Sequence, residues 1–274
     1  MTTYYSVGAF TKLSINGTPY AAISCDLGKR GTILRREGLR GTREHYANDA
    51  RTGPYRVAGT IMLEPDSSCL NTMMNLAIGN SGNVQEVLTD FSVVVDRYTG
   101  TYTYAGCKVN RARLFGSQGG IVGLELDIIG KTEEKTGSVN TPSDAAPFIF
   151  ADLDLTIGDY SREAMSFELV INNHLDGDRF LNEMTLPQVV ELDRTVTLDT
   201  VHPYSTANED LYGMAIAGAV GNLAMNNGTD LRYFTFGALQ APSSSPNIRG
   251  KVEVPLELFM EAVRSGNTPS IKFT

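Results

Sequence analysis

Gly123-Leu-Glu-Leu-Asp-Ile-Ile-Gly130 is the stretch that decides how the chain is read. Leu124, Leu126 and Ile128 fall on one side of an extended chain, Glu125 and Asp127 on the other. Side chains of a strand point alternately to the two faces of its sheet, so this is a strand with one buried and one wet face. Ser166-Phe-Glu-Leu-Val-Ile-Asn172 repeats the pattern: Phe167, Leu169 and Ile171 alternate with Glu168, Val170 and Asn172. Other strand-like segments lie at 10–15, 55–63, 90–96, 102–115, 121–129, 151–157, 189–201, 233–239 and 251–259. They are rich in β-branched and aromatic residues and are bounded by turn signals.

Two helical segments interrupt this β pattern. Pro65-Asp-Ser-Ser68 opens the first, with Asp66 or Ser67 as N-cap and Gly79 at its end. Its apolar residues Leu70, Met73, Met74, Ala77 and Ile78 recur at helical spacing. Asn208-Glu-Asp210 opens the second, with a stripe of Leu211, Met214, Ala215 and Gly218 and an end at Gly221. The methionines read as core packing rather than as cofactor contacts. The order of elements repeats: each half runs strand, helix ending in Gly-Asn, strand, polar turn, strand. Residue identity between the halves is low, so the repeat is one of pattern. The segment 131–147 between them is rich in Lys, Glu, Thr, Ser, Asn and Pro, a linker composition.

Composition excludes several classes. The chain has 274 residues with 23 Lys+Arg against 31 Asp+Glu, a net charge of −8. A general nucleic-acid binder needs a basic face to displace phosphate counterions. No apolar run approaches the roughly 18 residues of a membrane-spanning helix, so no membrane binding is expected. Residues 1–10 have neither a basic nor an apolar signal region, so no secretory signal is expected. Cys25, Cys69 and Cys107 are odd in number and widely spaced, which suits reduced thiols better than a disulfide framework or a zinc site.

One stretch runs against the overall charge. Residues 29–56 hold eight basic residues, Arg35, Arg36, Arg40, Arg43 and Arg51 among them, and three acidic ones. Glycines at 28, 31, 38, 41 and 53 and Pro54 make the stretch read as a long loop, 28–56, and long loops are often functional. It could be a nucleic-acid arm, a loop docking on an acidic face of another copy, or a solvated loop. The charge asymmetry favours docking.

Catalytic templates are missing: there is no nucleophile elbow, P-loop, HExxH or CxxC. Gly116-Ser-Gln-Gly-Gly-Ile-Val-Gly123 lies between strands and reads as a β-turn rather than a phosphate cradle. His45, His174 and His202 are isolated. Residues 172–178 contain Asn and Asp but lack calcium-loop spacing, and read as an Asx-rich turn closing a hairpin. No enzyme activity, cofactor or metal is expected.

The order of segments resembles the major tail tube proteins of long-tailed, non-contractile bacteriophages. The matching features are Gly38-Leu-Arg-Gly-Thr-Arg-Glu44 leading to Arg56-Val-Ala-Gly-Thr-Ile61, and the acid- and Ser-rich helix start that follows. Tyr104-Ala-Gly-Cys-Lys-Val-Asn-Arg-Ala-Arg-Leu114 running into 123–130, and Met165-Ser-Phe-Glu-Leu-Val-Ile-Asn-Asn173, complete them. The resemblance implies a mainly β fold of two tandem tail-tube-type β-sandwich or half-barrel domains, each with one flanking α-helix. These would span 1–140 and 148–274, joined by a linker at 141–147. It implies a structural virion protein, assembled in the host cytoplasm, that stacks as rings into a conduit for double-stranded DNA. Two tube domains per chain favour a homotrimeric, pseudo-hexameric ring; a hexamer is the alternative. The implied partners are the tape measure protein, the tail terminator and the distal tail proteins. Arg35, Arg36, Arg40, Arg43 and Arg51 become candidates for docking between rings, and Glu125, Asp127, Glu168 and Asp199 for acids facing the lumen. Two other readings stand beside this one: a single-ring distal tail or baseplate component, and a two-domain β-sandwich binding glycans.

Overall fold

The structure is a computed structural model that describes residues 8, 11–37, 44, 46–79, 84–158, 160–206, 208–242 and 254–274. The first half contains β1 (Lys12–Ile15), β2 (Thr18–Tyr20), β3 (Ala22–Cys25), β4 (Gly28–Arg35), β5 (Ala50–Leu63), α1 (Ser67–Ile78), β6 (Phe91–Asp96), β7 (Thr101–Ser117), β8 (Gly123–Gly130) and β9 (Thr132–Glu134). The second contains β10 (Leu153–Ile157), β11 (Tyr160–Arg162), β12 (Ser166–Asn172), β13 (Thr195–Pro203), α2 (Leu211–Ala217), β14 (Ala219–Asn226), β15 (Leu231–Gln240), β16 (Pro255–Val263) and β17 (Ile271–Phe273). The fold is mainly β, as the alternation predicts, and its strand pairs are antiparallel.

The halves share one pairing diagram. In the first, β1 pairs β2 and β6; β7 pairs β6, β8 and β9; β5 pairs β4 and β8. In the second, β10 pairs β11 and β14; β15 pairs β14, β16 and β17; β13 pairs β12 and β16. Each of these pairings has its counterpart. Two stand outside the correspondence: β3 with β5, and β7 with β12. The second of these joins the halves, so β5, β8, β7, β12, β13 and β16 run side by side as one sheet.

The inner face of that sheet is mostly apolar, with Thr200 and His202 of β13 as buried polar exceptions. Leu124, Leu126 and Ile128, Leu114, Phe167, Leu169 and Ile171, Leu198, and Leu258 and Met260 are all buried. They belong to one cluster with Phe234, Phe236 and Phe273 of the second layer and with Leu70, Met73, Met74 and Ile78 of α1. A buried side chain of this size contributes about 1.5–3 kcal/mol. The Asp66 carboxylate caps α1, accepting from the Cys69 N–H at 2.8 Å.

Three sequence expectations change. The basic stretch is not a long loop over its whole length: β4 pairs β5 from Gly28↔Ala58 to Arg35↔Ala50, making a two-stranded arm. β4 is exposed along almost its whole length, so no buried face imprints an alternation on its sequence. Gly59 allows this arrangement, because a Cβ there would lie 2.6 Å from the Leu27 Cα. The second helix ends at Ala217, where Gly218 takes φ 84°, and 219–226 is strand β14. Its backbone groups are satisfied by β10 and β15, which override the helical stripe. The Asx contacts exist, with the His174 N–H donating to Asn172 Oδ1 at 3.1 Å, but the hairpin β12–β13 is closed by the much longer segment 173–194. This segment folds back on the first half: the Tyr55 N–H donates to the Met184 carbonyl at 2.9 Å, and Arg56 donates to the Gly177 carbonyl at 2.9 Å and pairs with Asp178.

Candidate functional site

The outer face of the six-stranded sheet carries the alternate residues. Opposed across the strands, one row reads Glu125, Arg113, Val170, Thr197, Glu261. The next reads Gly123, Phe115, Glu168, Asp199, Phe259. Asp127 lies opposite Arg111, and Glu257 opposite Val201. The four acids expected on a wet face, Glu125, Asp127, Glu168 and Asp199, therefore share one surface drawn from both halves. Glu257 and Glu261 extend this set of carboxylates, with Arg111 and Arg113 among them.

Arg113 organises the centre of this face. Its Nε donates to Glu168 Oε1 at 2.8 Å and its Nη2 to Glu168 Oε2 at 2.9 Å, a fork across the β7–β12 junction. Its Nη1 reaches Glu125 Oε2 at 3.4 Å, and its guanidinium lies 4.3 Å from the Phe115 ring centroid. The Arg113 hydrogen bonds hold the Glu168 carboxyl below the usual carboxylate range. Burial, and then the charge of Glu168 directly opposite, push Asp199 up. Arg111 stands 4.0 Å from Asp127, which also accepts from the Thr60 hydroxyl at 2.9 Å.

Sequence reasoning missed the two arginines as counter-charges, because their partners lie on neighbouring strands, one of them in the other half. It also put Glu191 on a strand. Glu191 sits instead in the 173–194 segment, where it accepts from the buried Lys108 Nζ at 2.7 Å and from the Leu88 N–H at 2.8 Å. The docking candidates are elsewhere, on the arm. Arg35 faces Ala50 and Arg51 faces Leu34 across β4–β5, and the Arg36 N–H donates to the Asp49 carbonyl at 2.9 Å. Arg40 and Arg43 lie outside the described residues.

Chemically, the acidic face is a fixed negative surface. Among the described residues no group of three or more His, Cys, Asp and Glu could hold a metal ion. None of the described helices is long and apolar enough to cross a membrane. Burial pushes the Cys69 and Cys107 thiols up to about 12, away from thiolate chemistry.

The family model described as phage tail tube protein matches residues 1–258. The chain belongs to the phage tail tube protein family. A search of curated proteins finds no match. As a tail tube protein it is a structural component of the virion tail.

Proposed function

We propose that three copies of this tail tube protein close into a ring, that rings stack into a tube, and that the acidic face lines the bore through which duplex DNA leaves the virion. The observation that carries this reading is the repeated pairing diagram. Each half offers four strands in the same order, β4-β5-β8-β7 and β12-β13-β16-β15, and one junction, β7–β12, already joins two such units. Three chains then supply about 24 strands, which at about 4.8 Å per strand make a circumference of roughly 115 Å and a backbone diameter of about 37 Å. A duplex about 20 Å across fits inside after side chains are added. A ring of six chains would double the diameter, too wide for a close-fitting conduit. The acids suit such a bore, because like charge lowers the affinity of DNA phosphate for the wall.

The outer end of the arm, with Arg35, Arg36 and Arg51 and the segment carrying Arg40 and Arg43, is proposed to reach the adjacent ring. The test is negative-stain electron microscopy of the chain at high concentration, with rotational averaging of end-on views. Hollow stacked rings with three-fold symmetry are expected. Persistent single rings would instead favour a distal tail or baseplate role, and six chains per ring would place one half outside the bore.

A further inference from the structure

One end of the acid-bearing face is roofed by the chain itself. On β8, Ile129 is in phase with Asp127 and Glu125, and Lys108 of β7 lies opposite it. On β5, Arg56 is in phase with Thr60, which lies opposite Asp127. Segment 173–194 crosses the face here. A Cβ on Gly177 would lie 3.1 Å from the Ile129 side chain and 3.1 Å from the Arg56 guanidinium. Arg56 donates to the Gly177 carbonyl and pairs with Asp178. Lys108 is buried beneath the segment, with its Nζ donating to the Val189 carbonyl at 3.2 Å and to Glu191 at 2.7 Å. Ile129 packs against a cluster of Leu175, Leu186 and Val189 from the segment and Leu88.

The segment is built as a strap between fixed roots. At one root the buried Asn173 donates to the Ala77 carbonyl at 3.0 Å and the Val109 carbonyl at 2.9 Å. At the other, the Arg194 Nε donates to Asn173 Oδ1 at 2.8 Å. A bridge between Asp176 and Val190 joins the two limbs, so they move together. Among the described residues its apolar contacts form a cluster apart from the main core, so the strap can lift without opening that core. Its course over the face is strained. His174 has φ 44° near the root, and Leu181 and Asn182 have φ 35° and 69° near the tip. A bulky residue such as leucine takes left-handed backbone only where its surroundings impose it.

This placement conflicts with an open bore. A layer packed on a sheet face stands about 10 Å above it, so three straps inside a backbone diameter of about 37 Å leave roughly 17 Å, less than a duplex about 20 Å across. We propose that 173–194 is an assembly latch: it lies across the acid-bearing face in the free subunit and swings off that face as copies assemble. This rests on the ring reading and adds a control to it. In the pairing diagram the strap holds the place of the connection between β4 and β5, at the arm end proposed to reach the adjacent ring. A subunit with its strap down therefore has a bore face that is covered and a second-half connection that is occupied. The clasp is Asp178 on Arg56 and Glu191 on Lys108, two ion pairs whose acids belong to the strap. The fraction of subunits with the clasp open sets the apparent affinity of assembly.

A reversible lock tests this. Tyr55 and Thr185 form a parallel bridge between β5 and the strap, so Tyr55→Cys with Thr185→Cys can be oxidised to hold the strap down. The oxidised double variant should form at least ~10-fold less tube than its reduced form in sedimentation velocity and electron microscopy, and dithiothreitol should restore the tubes. Wild type carried through the same oxidation should assemble unchanged. Asp178→Asn with Glu191→Gln opens the clasp and should lower the concentration for half-assembly ~5-fold or more. Circular dichroism checks that each variant folds. Hydrogen exchange reads the wild type directly. The Tyr55, Leu88 and Leu175 amides, which donate to Met184, Glu191 and Asn110 with the strap down, should exchange at least ~10-fold faster in tubes than in the free subunit. If the reduced double variant does not assemble, this exchange decides. Full assembly of the oxidised variant, or equal or slower exchange in tubes, overturns the latch and leaves the ring reading intact. A wild type and an unclasped variant that both form no rings overturn the ring reading and the latch with it.

Discussion

The two halves of this tail tube protein have the same strand pairings but are consolidated differently. In the first, α1 has twelve residues, is capped by Asp66, and buries Leu70, Met73, Met74, Ala77 and Ile78 against β7, β15 and β17. In the second, α2 has seven residues and Ile216 is exposed. The hairpin connections differ too. The segment 173–194 is tied to the first half through Lys108–Glu191, Arg56–Asp178 and the Arg194 contact with the Gln85 carbonyl at 2.7 Å. Its counterpart between β4 and β5, residues 36–49, is shorter and lies partly outside the described residues. One topology therefore serves as a consolidated unit at one end of the chain and as a partly open one at the other. Pairing order is set by backbone ladders; how firmly a unit is held depends on which side chains it buries.

The largest effect that would break this contrast is expected at Lys108. Its side chain is 4% exposed, so removing Glu191 leaves a buried ammonium with a more distant carboxylate, Asp90 at 3.6 Å. Glu191→Leu should cost about 3–5 kcal/mol in urea unfolding, and adding Lys108→Met should recover most of it. Asp49→Ala, in the connection of the other hairpin, should cost about 1 kcal/mol or less. Equal losses at the two sites would erase the distinction. The helices give the next test. Met74→Ala on α1 should cost about 2–5 kcal/mol, and Ile216→Ala on α2 about 0.5 kcal/mol, in the unassembled chain.

The smallest effect concerns pH. His202 is fully buried on β13; Nδ1 lies 2.6 Å from the Glu163 carbonyl and Nε2 2.8 Å from the Thr200 hydroxyl. Burial pushes its pKa below the ordinary 6.5, against the raising effect of the Glu163 contact. The unfolded chain therefore takes up this proton before the folded one does. Its contribution to stability is complete above about pH 6.5 and is lost as pH falls towards the depressed folded value. Hydrogen exchange between pH 5 and 7 should show β13 and β16 loosening on acidification before β5 and β8, and His202→Gln should flatten that dependence.

How legible all this was depends on what each residue faces. Strands such as β8 and β12 were readable because one face is buried and the other wet, so 124–128 and 167–171 carry the alternation themselves. The four acids could be placed on a wet face for the same reason. β4 was not readable, since neither face is buried within one chain. β14 was misread because Ala219 to Asn222 extends a small-residue stripe, and only β10 and β15, distant in sequence, make it a strand. Arg113 could not be matched to Glu168 because the junction linking their strands spans 55 residues.

The β7–β12 junction has a consequence for assembly kinetics. A six-unit circle built from single units needs six encounters between separate molecules, each losing several kcal/mol of translational and rotational freedom. In the proposed ring of three chains, every second junction would form during folding of one polypeptide, where the chain itself holds the partners together. On that reading only three encounters between separate chains would remain. Joined in one chain, the halves are also released from being identical, as their helices of twelve and seven residues illustrate.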